Sequence, residues 1–225
     1  MVGSAVNARD EILTRVRDAL DDVPDAERPD DVTVPRAYLE REPGDILERF
    51  VERVAEYGSI VRLVTEAETS SAVADLARHF GVDTVVVPPE LPAGWAPTTV
   101  ETITDAALSP RELDRIGAAL TGCALGIAET GTVVLDAGPA QGRRALTLVP
   151  DVHLCVIDDG QIVDGVPAAL RRLAPALRAG RPLTFVSGPS ATSDIELSRV
   201  EGVHGPRRFG LVVVHTARNP AASRP

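Results

Sequence analysis

The chain has 225 residues, 44% of them hydrophobic and 3% aromatic, with a formal net charge of −10. That length suits one domain with a terminal extension, and its core must be built from Val, Leu, Ile and Ala rather than from rings. The charge argues against non-specific nucleic-acid binding, which draws on cationic side chains, and no run approaches the ~20 apolar residues that span a bilayer. In chain order, residues 9–20 predict a short helix, with Ile12, Leu13, Val16 and Leu20 near one face. The Asp- and Pro-rich stretch 21–35 reads as a linker, so residues 1–40 are expected to be a helical arm, either loose or packed on a partner. The domain is expected over 41–217, with a disordered tail at 218–225. Asp45 and Glu48 make a capping-box-like start for a helix that carries Leu47, Phe50, Val51 and Val54 and stops at Gly58.

Ser59 to Val64 predicts a strand, Thr69 to Phe80 a helix ended by Gly81, and Asp83 to Val87 a buried strand closed by Pro88-Pro89. Ser109-Pro110-Arg111-Glu112 starts another helix, with proline at its first position. Strands are expected at Cys123–Ala128, Thr132–Asp136, Val152–Ile157, Leu183–Val186 and Leu211–His215. Val163 to Ala179 is expected to be helical, bent or broken at Pro175. Near-continuous apolar strands alternating with helices predict an α/β fold with a mostly parallel sheet covered on both faces. The three-residue link between Ala128 and Thr132 predicts an antiparallel hairpin or sharp bend.

Several chemistries are excluded outright. All 23 basic residues are arginine, which removes a lysine Schiff base, a phosphate-loop lysine and pyridoxal attachment together. Cys123 and Cys155 are too few for the four thiolates of an ordinary iron–sulfur cluster, and their apolar contexts read as buried, reduced thiols. No G-x-G-x-x-G and no G-x-S-x-G occurs. His153, two residues after Asp151, has no third partner at a metal-ligand spacing, so no metal is expected. The N-terminus lacks an apolar signal core, and the expected compartment is the cytoplasm.

Two polar, glycine-punctuated loops carry the site. In Gly126-Ile127-Ala128-Glu129-Thr130-Gly131-Thr132, a carboxylate between a strand and a glycine can project into a crevice or pin its own turn. In Ser187-Gly188-Pro189-Ser190-Ala191-Thr192-Ser193-Asp194, hydroxyls and N–H groups at an expected helix start can hold an anion. Ser193 and Glu196 also fit a capping box. His204, between Gly202 and Gly205, titrates in the range for acid–base work or simply bonds backbone. Arg143 and Arg144 can grip a carboxylate or phosphate, or pair with Asp136 or Asp151.

With Gln141-Gly142-Arg143-Arg144-Ala145-Leu146 between them, these loops closely resemble the lactate utilization protein C family of the LUD-domain group, over residues 45 to 215. The resemblance implies a Rossmann-like fold similar to ribose-5-phosphate isomerase, glucosamine-phosphate deaminase and CoA-transferases, with ligands at the carboxyl ends of the strands. It implies a component of an L-lactate utilization system that works with two iron–sulfur partner proteins in oxidising L-lactate to pyruvate, with no cofactor on this chain. The Glu129-Thr130-Gly131 turn is similar to the Glu-x-Gly turn that carries the nucleophile of CoA-transferases. Glu129 and His204 are thus the candidate catalytic residues. Thr130, Gly131, Arg143, Arg144, Ser187, Gly188, Ser190, Thr192 and Asp194 are the candidate ligand contacts. An acyl- or CoA-transferase acting through Glu129 and a ligand-sensing regulator are the alternatives, and a homo-oligomer stays open.

Overall fold

The structure, a computed structural model, describes residues 7–24, 26–28, 44–189, 191–192, 200–202 and 204–215. It divides into two units, 1–39 and 40–225, each described by itself. The first unit holds helix α1 (Ala8–Ala19), capped by Asn7, whose side chain accepts from the Arg9 N–H; none of its residues is buried.

Among the described residues the second unit holds four α-helices: α2 (Ile46–Glu56), α3 (Thr69–His79), α4 (Pro110–Ile116) and α5 (Val166–Arg178). Its strands, in chain order, are β1 (Ile60–Val64), β2 (Thr84–Val87), β3 (Glu101–Thr104), β4 (Ala118–Thr121), β5 (Leu125–Ile127) and β6 (Thr132–Leu135), then β7 (Val152–Asp158), β8 (Ile162–Val163), β9 (Thr184–Val186), β10 (Ala191–Thr192), β11 (Val200–Glu201) and β12 (Arg208–Val214). Local chemistry sets the helix starts. Asp45 Oδ1 accepts from the N–H groups of Leu47 and Glu48 to open α2. Ser109 and Glu112 close a reciprocal capping box on α4, with Pro110 at its first position.

Six strands form a wholly parallel sheet in the order β1-β12-β7-β4-β2-β3. Side-chain alternation along β7 gives each face its cover. Leu154 and Val156 pack with Val73, Leu76 and Ala77 of α3. Cys155 and Ile157 face the other way, against Phe50 and Val54 of α2 and Val133 and Leu135 of β6. On that second face lies a four-stranded sheet, β8-β5-β6-β9, whose outer side is covered by Ala169 and Leu173 of α5. Each large buried side chain contributes about 1.5–3 kcal/mol. Cys123 and Cys155 meet in this core, where the neighbouring thiol and burial push the Cys123 thiol well up.

The predicted α/β class and its mostly parallel, helix-covered sheet are what the structure has. The β5–β6 hairpin is antiparallel as expected. Three features differ. β3 and β4 are strands where none was expected: β3 is an edge of mostly exposed Glu-Thr-Ile-Thr, and β4 is alanine-rich yet wholly buried, held by pairing rather than propensity. β5, β6, β8 and β9 separate into a second sheet. Helix α5 also runs through Pro175 to Arg178, held by Leu173 and Ala176, which are buried on either side of the proline.

Candidate functional site

The two polar loops converge. β6 pairs antiparallel with β5 on one side and β9 on the other, which brings Thr132 beside Ser187. A chain of hydroxyls results: Thr130 Oγ1 to Thr132 Oγ1 at 2.7 Å, and Thr132 Oγ1 to Ser187 Oγ at 2.7 Å. The glycines of both loops serve close packing. Gly131 has φ +59, and a Cβ there would lie 2.6–2.7 Å from the Arg53 and Val54 backbone of α2. Gly188, at φ +82, lies against Tyr57 in the same way.

Ser187 and Gly188 open into a cavity of about 260 Å³. Its floor is His153 and Phe209, the second residues of β7 and β12, which are register partners. Thr147 and Leu148 form one wall, Thr184 to Val186 another, and His204 with Gly205 and Pro206 the rim. The cavity therefore sits toward the amino ends of β7 and β12, not at the carboxyl ends that the resemblance implies. His153 is buried, and burial lowers its pKa to about 4, so its ring is neutral at pH 7. Its Nε2 lies 2.8 Å from Thr121 Oγ1.

Glu129 does not line this cavity. Its exposed carboxylate rests against Gly165, the residue that starts α5, and its N–H donates to the Asp164 carbonyl. A carboxylate there complements the helix dipole and supplies a side chain where the glycine cap has none. Asp164 in turn is held by Arg49 of α2. The structure thus separates the two candidate catalytic residues: His204 is at the cavity rim, and Glu129 is on the hairpin turn.

The arginine pair also divides. Arg143 does not pair with Asp136 or Asp151. It forks onto Asp105, with Nε to Oδ2 at 2.7 Å and Nη2 to Oδ1 at 3.0 Å, and also donates to the Leu108 carbonyl. This fork from the exposed Arg143 holds the buried Asp105 carboxyl below its usual range. Asp136 is taken by Gln141 and Arg181, and Asp151 by Arg207 and Arg208. Arg144 is exposed and lines a small cleft of about 20 Å³ that shares Thr147 and Thr184 with the main cavity.

Ser190, Ser193, Asp194 and Glu196 lie outside the described residues, so the expected helix start and its capping box fall there too. Thr192 is described only as a strand residue, paired with Val200 in the short β10–β11 ladder. His153, Thr147, Thr184 and Phe209 are cavity residues that the loop motifs did not indicate. For His153 the available signal was a lone histidine inside an apolar strand. Among the described residues no group of three or more His, Cys, Asp or Glu is placed to hold a metal ion, and no helix is long and apolar enough to cross a membrane.

Residues 108–214, which contain both polar loops and the cavity, match the LUD domain family. Across 215 residues, 95% of this chain and 98% of the relative, the chain is 44% identical to Lactate utilization protein C of Deinococcus radiodurans. The chain belongs to the lactate utilization protein C family of LUD-domain proteins. Lactate utilization protein C of Exiguobacterium sp. is 32% identical over 62% of this chain and 64% of that protein. The crystal structure of a DUF162 family protein from Deinococcus radiodurans, 40% identical, aligns with a TM-score of 0.65 over 75% of this chain and 96% of that one. The family match begins at Leu108, so the LUD domain as matched includes α4, the second sheet and the last strands of the main sheet, while β1 to β3 lie outside it.

Proposed function

We propose that this protein serves L-lactate utilization, as a component of the system that oxidises L-lactate to pyruvate, and that it does so by binding a small carboxylate in the cavity under His204. The observation that carries the role is the 44% identity to a Lactate utilization protein C along nearly the whole of both chains. The cavity supports the binding reading. It is large enough for a small organic acid, and it offers hydroxyl donors from Thr184 and Ser187 beside a floor of Phe209 and the His153 ring. The chain's two thiols are buried in the core, so the reading assigns electron transfer to iron–sulfur partner proteins and none of it to this chain. No observation favours the transferase alternative, since Glu129 stands at the start of α5 and outside the cavity.

The test is growth on L-lactate of a deletion strain carrying wild type, His204→Ala or Glu129→Gln at matched abundance. Growth restored by wild type and Glu129→Gln but not by His204→Ala supports the cavity. A deletion strain that grows normally, in a background with no other lactate-oxidising enzyme, sinks the lactate role.

A further inference from the structure

The floor of the cavity fixes which proton sits where. Thr121 is fully buried, and its hydroxyl has one hydrogen to give. Oγ1 donates to the Gly122 carbonyl at 2.9 Å and also lies 2.8 Å from His153 Nε2. Only one assignment satisfies both contacts: the hydroxyl hydrogen goes to Gly122, and His153 Nε2–H donates to Thr121 Oγ1. The other arrangement leaves the Gly122 carbonyl without that donor in a buried place, which is costly. Nδ1 is then the lone-pair nitrogen of the ring. Among the described residues it has no hydrogen-bond partner, and His153 lines the cavity.

We propose that His153 determines the specificity of this cavity, its Nδ1 accepting a hydrogen bond from the hydroxyl of a 2-hydroxy acid whose carboxylate lies among the hydroxyls of Thr184 and Ser187. The inference rests on the reading of the cavity as a small-carboxylate site and goes further, because it separates the two sides of the reaction. A 2-oxo acid in the same pose would set a carbonyl lone pair against the Nδ1 lone pair, which repels it. An unsubstituted acid would leave Nδ1 unsatisfied. Because burial keeps the ring neutral near pH 7, Nδ1 stays an acceptor there rather than becoming a second donor.

The experiment uses the full chain labelled with ¹⁵N-histidine. Long-range ¹H–¹⁵N spectra report which nitrogen of His153 is protonated, and titrations with L-lactate, pyruvate and propionate follow Nδ1 and the heat of binding. The expected result is an Nε2–H tautomer, an Nδ1 signal that moves with L-lactate alone, and L-lactate binding on the order of tenfold to a hundredfold tighter than the other two acids. Thr121→Val removes the acceptor that fixes the tautomer and should abolish this preference, whereas Thr121→Ser should keep it. An Nδ1–H tautomer, a Thr121→Val protein with undiminished preference, or equal binding of lactate and pyruvate overturns the role of His153 and leaves the carboxylate site standing. Failure of all three acids to bind overturns the carboxylate reading and this inference with it.

Discussion

Gly131→Ala should destabilise the fold by well over the cost of Gly81→Ala, although the two glycines have similar backbones. Both are left-handed, at φ +59 and +68. Either alanine therefore carries the penalty of about 1–2 kcal/mol for an L-residue in that region. At Gly81 nothing lies within 4 Å of the new methyl, so the penalty ends there. At Gly131 the methyl meets Arg53 C at 2.6 Å, Arg53 Cβ at 2.7 Å and Val54 N at 2.7 Å. Those are atoms of α2 close to the backbone, and α2 is anchored by fully buried Phe50 and Val54, so they cannot swing aside. Overpacking of that kind adds about 1–3 kcal/mol. Urea unfolding of wild type and both variants, with m-values compared, reads the difference directly. In a thermal melt each kcal/mol should appear as roughly 2–4 °C for a chain of this size. Equal losses for the two variants would refute the close approach of the hairpin to α2, and with it the packing role assigned to Gly131.

Three other perturbations have worked signs. His153 has a folded pKa of about 4 against an ordinary value of 6.5, so its contribution to stability is complete above pH ~6.5 and is lost as pH falls toward 4. The slope in that window should be up to about 1.4 kcal/mol per pH unit, and His153→Gln should flatten it in pH-dependent urea unfolding; an unchanged slope would count against a neutral buried ring. Arg143→Ala should raise the Asp105 carboxyl pKa, followed by ¹³C NMR, and cost about 1–3 kcal/mol at neutral pH. The Asp105 contribution is present above its unfolded pKa and is lost as pH falls through the lower folded one, so the variant should also lose part of its acid sensitivity. Thr132→Val cuts both links of the Thr130–Thr132–Ser187 chain and should cost about 1 kcal/mol or more in the same unfolding assay, with no loss at all arguing that the hydroxyls are solvated instead.

The sequence was most readable where local chemistry and burial agree. Asp45, Ser109 and Gly81 mark helix ends that the structure has, and the valine-rich runs of β2 and β7 lie inside the sheet. It was least readable where pairing decides. Ala118-Ala119-Leu120-Thr121 has little strand propensity of its own and becomes a central strand because β7 and β2 flank it. At the site, Ser187 and His204 were visible as loop residues that now share a cavity. The tie from Arg143 to Asp105 spans 38 residues, and no local pattern encodes it. For Glu129 the sequence leaves a site role and a turn role open alike, because a carboxylate before a glycine suits both, and the start of α5 that it faces comes 36 residues later.

The pairing of β1 with β12 has a consequence for synthesis. Ile60 is matched with Gly210, 150 residues further along (210 − 60), and among the described residues β1 has no other strand beside it in the sheet. At about 5–20 residues per second, a ribosome needs roughly 8–30 s to make the intervening chain. During that interval β1 has no strand to pair with, and β7, once made, lacks the neighbour that later separates it from β1. A stop codon or frameshift just before residue 208 would therefore do more than shorten the protein. It would remove the strand that joins β1 to the rest of the sheet, leaving two open strand edges suited to pairing with other chains.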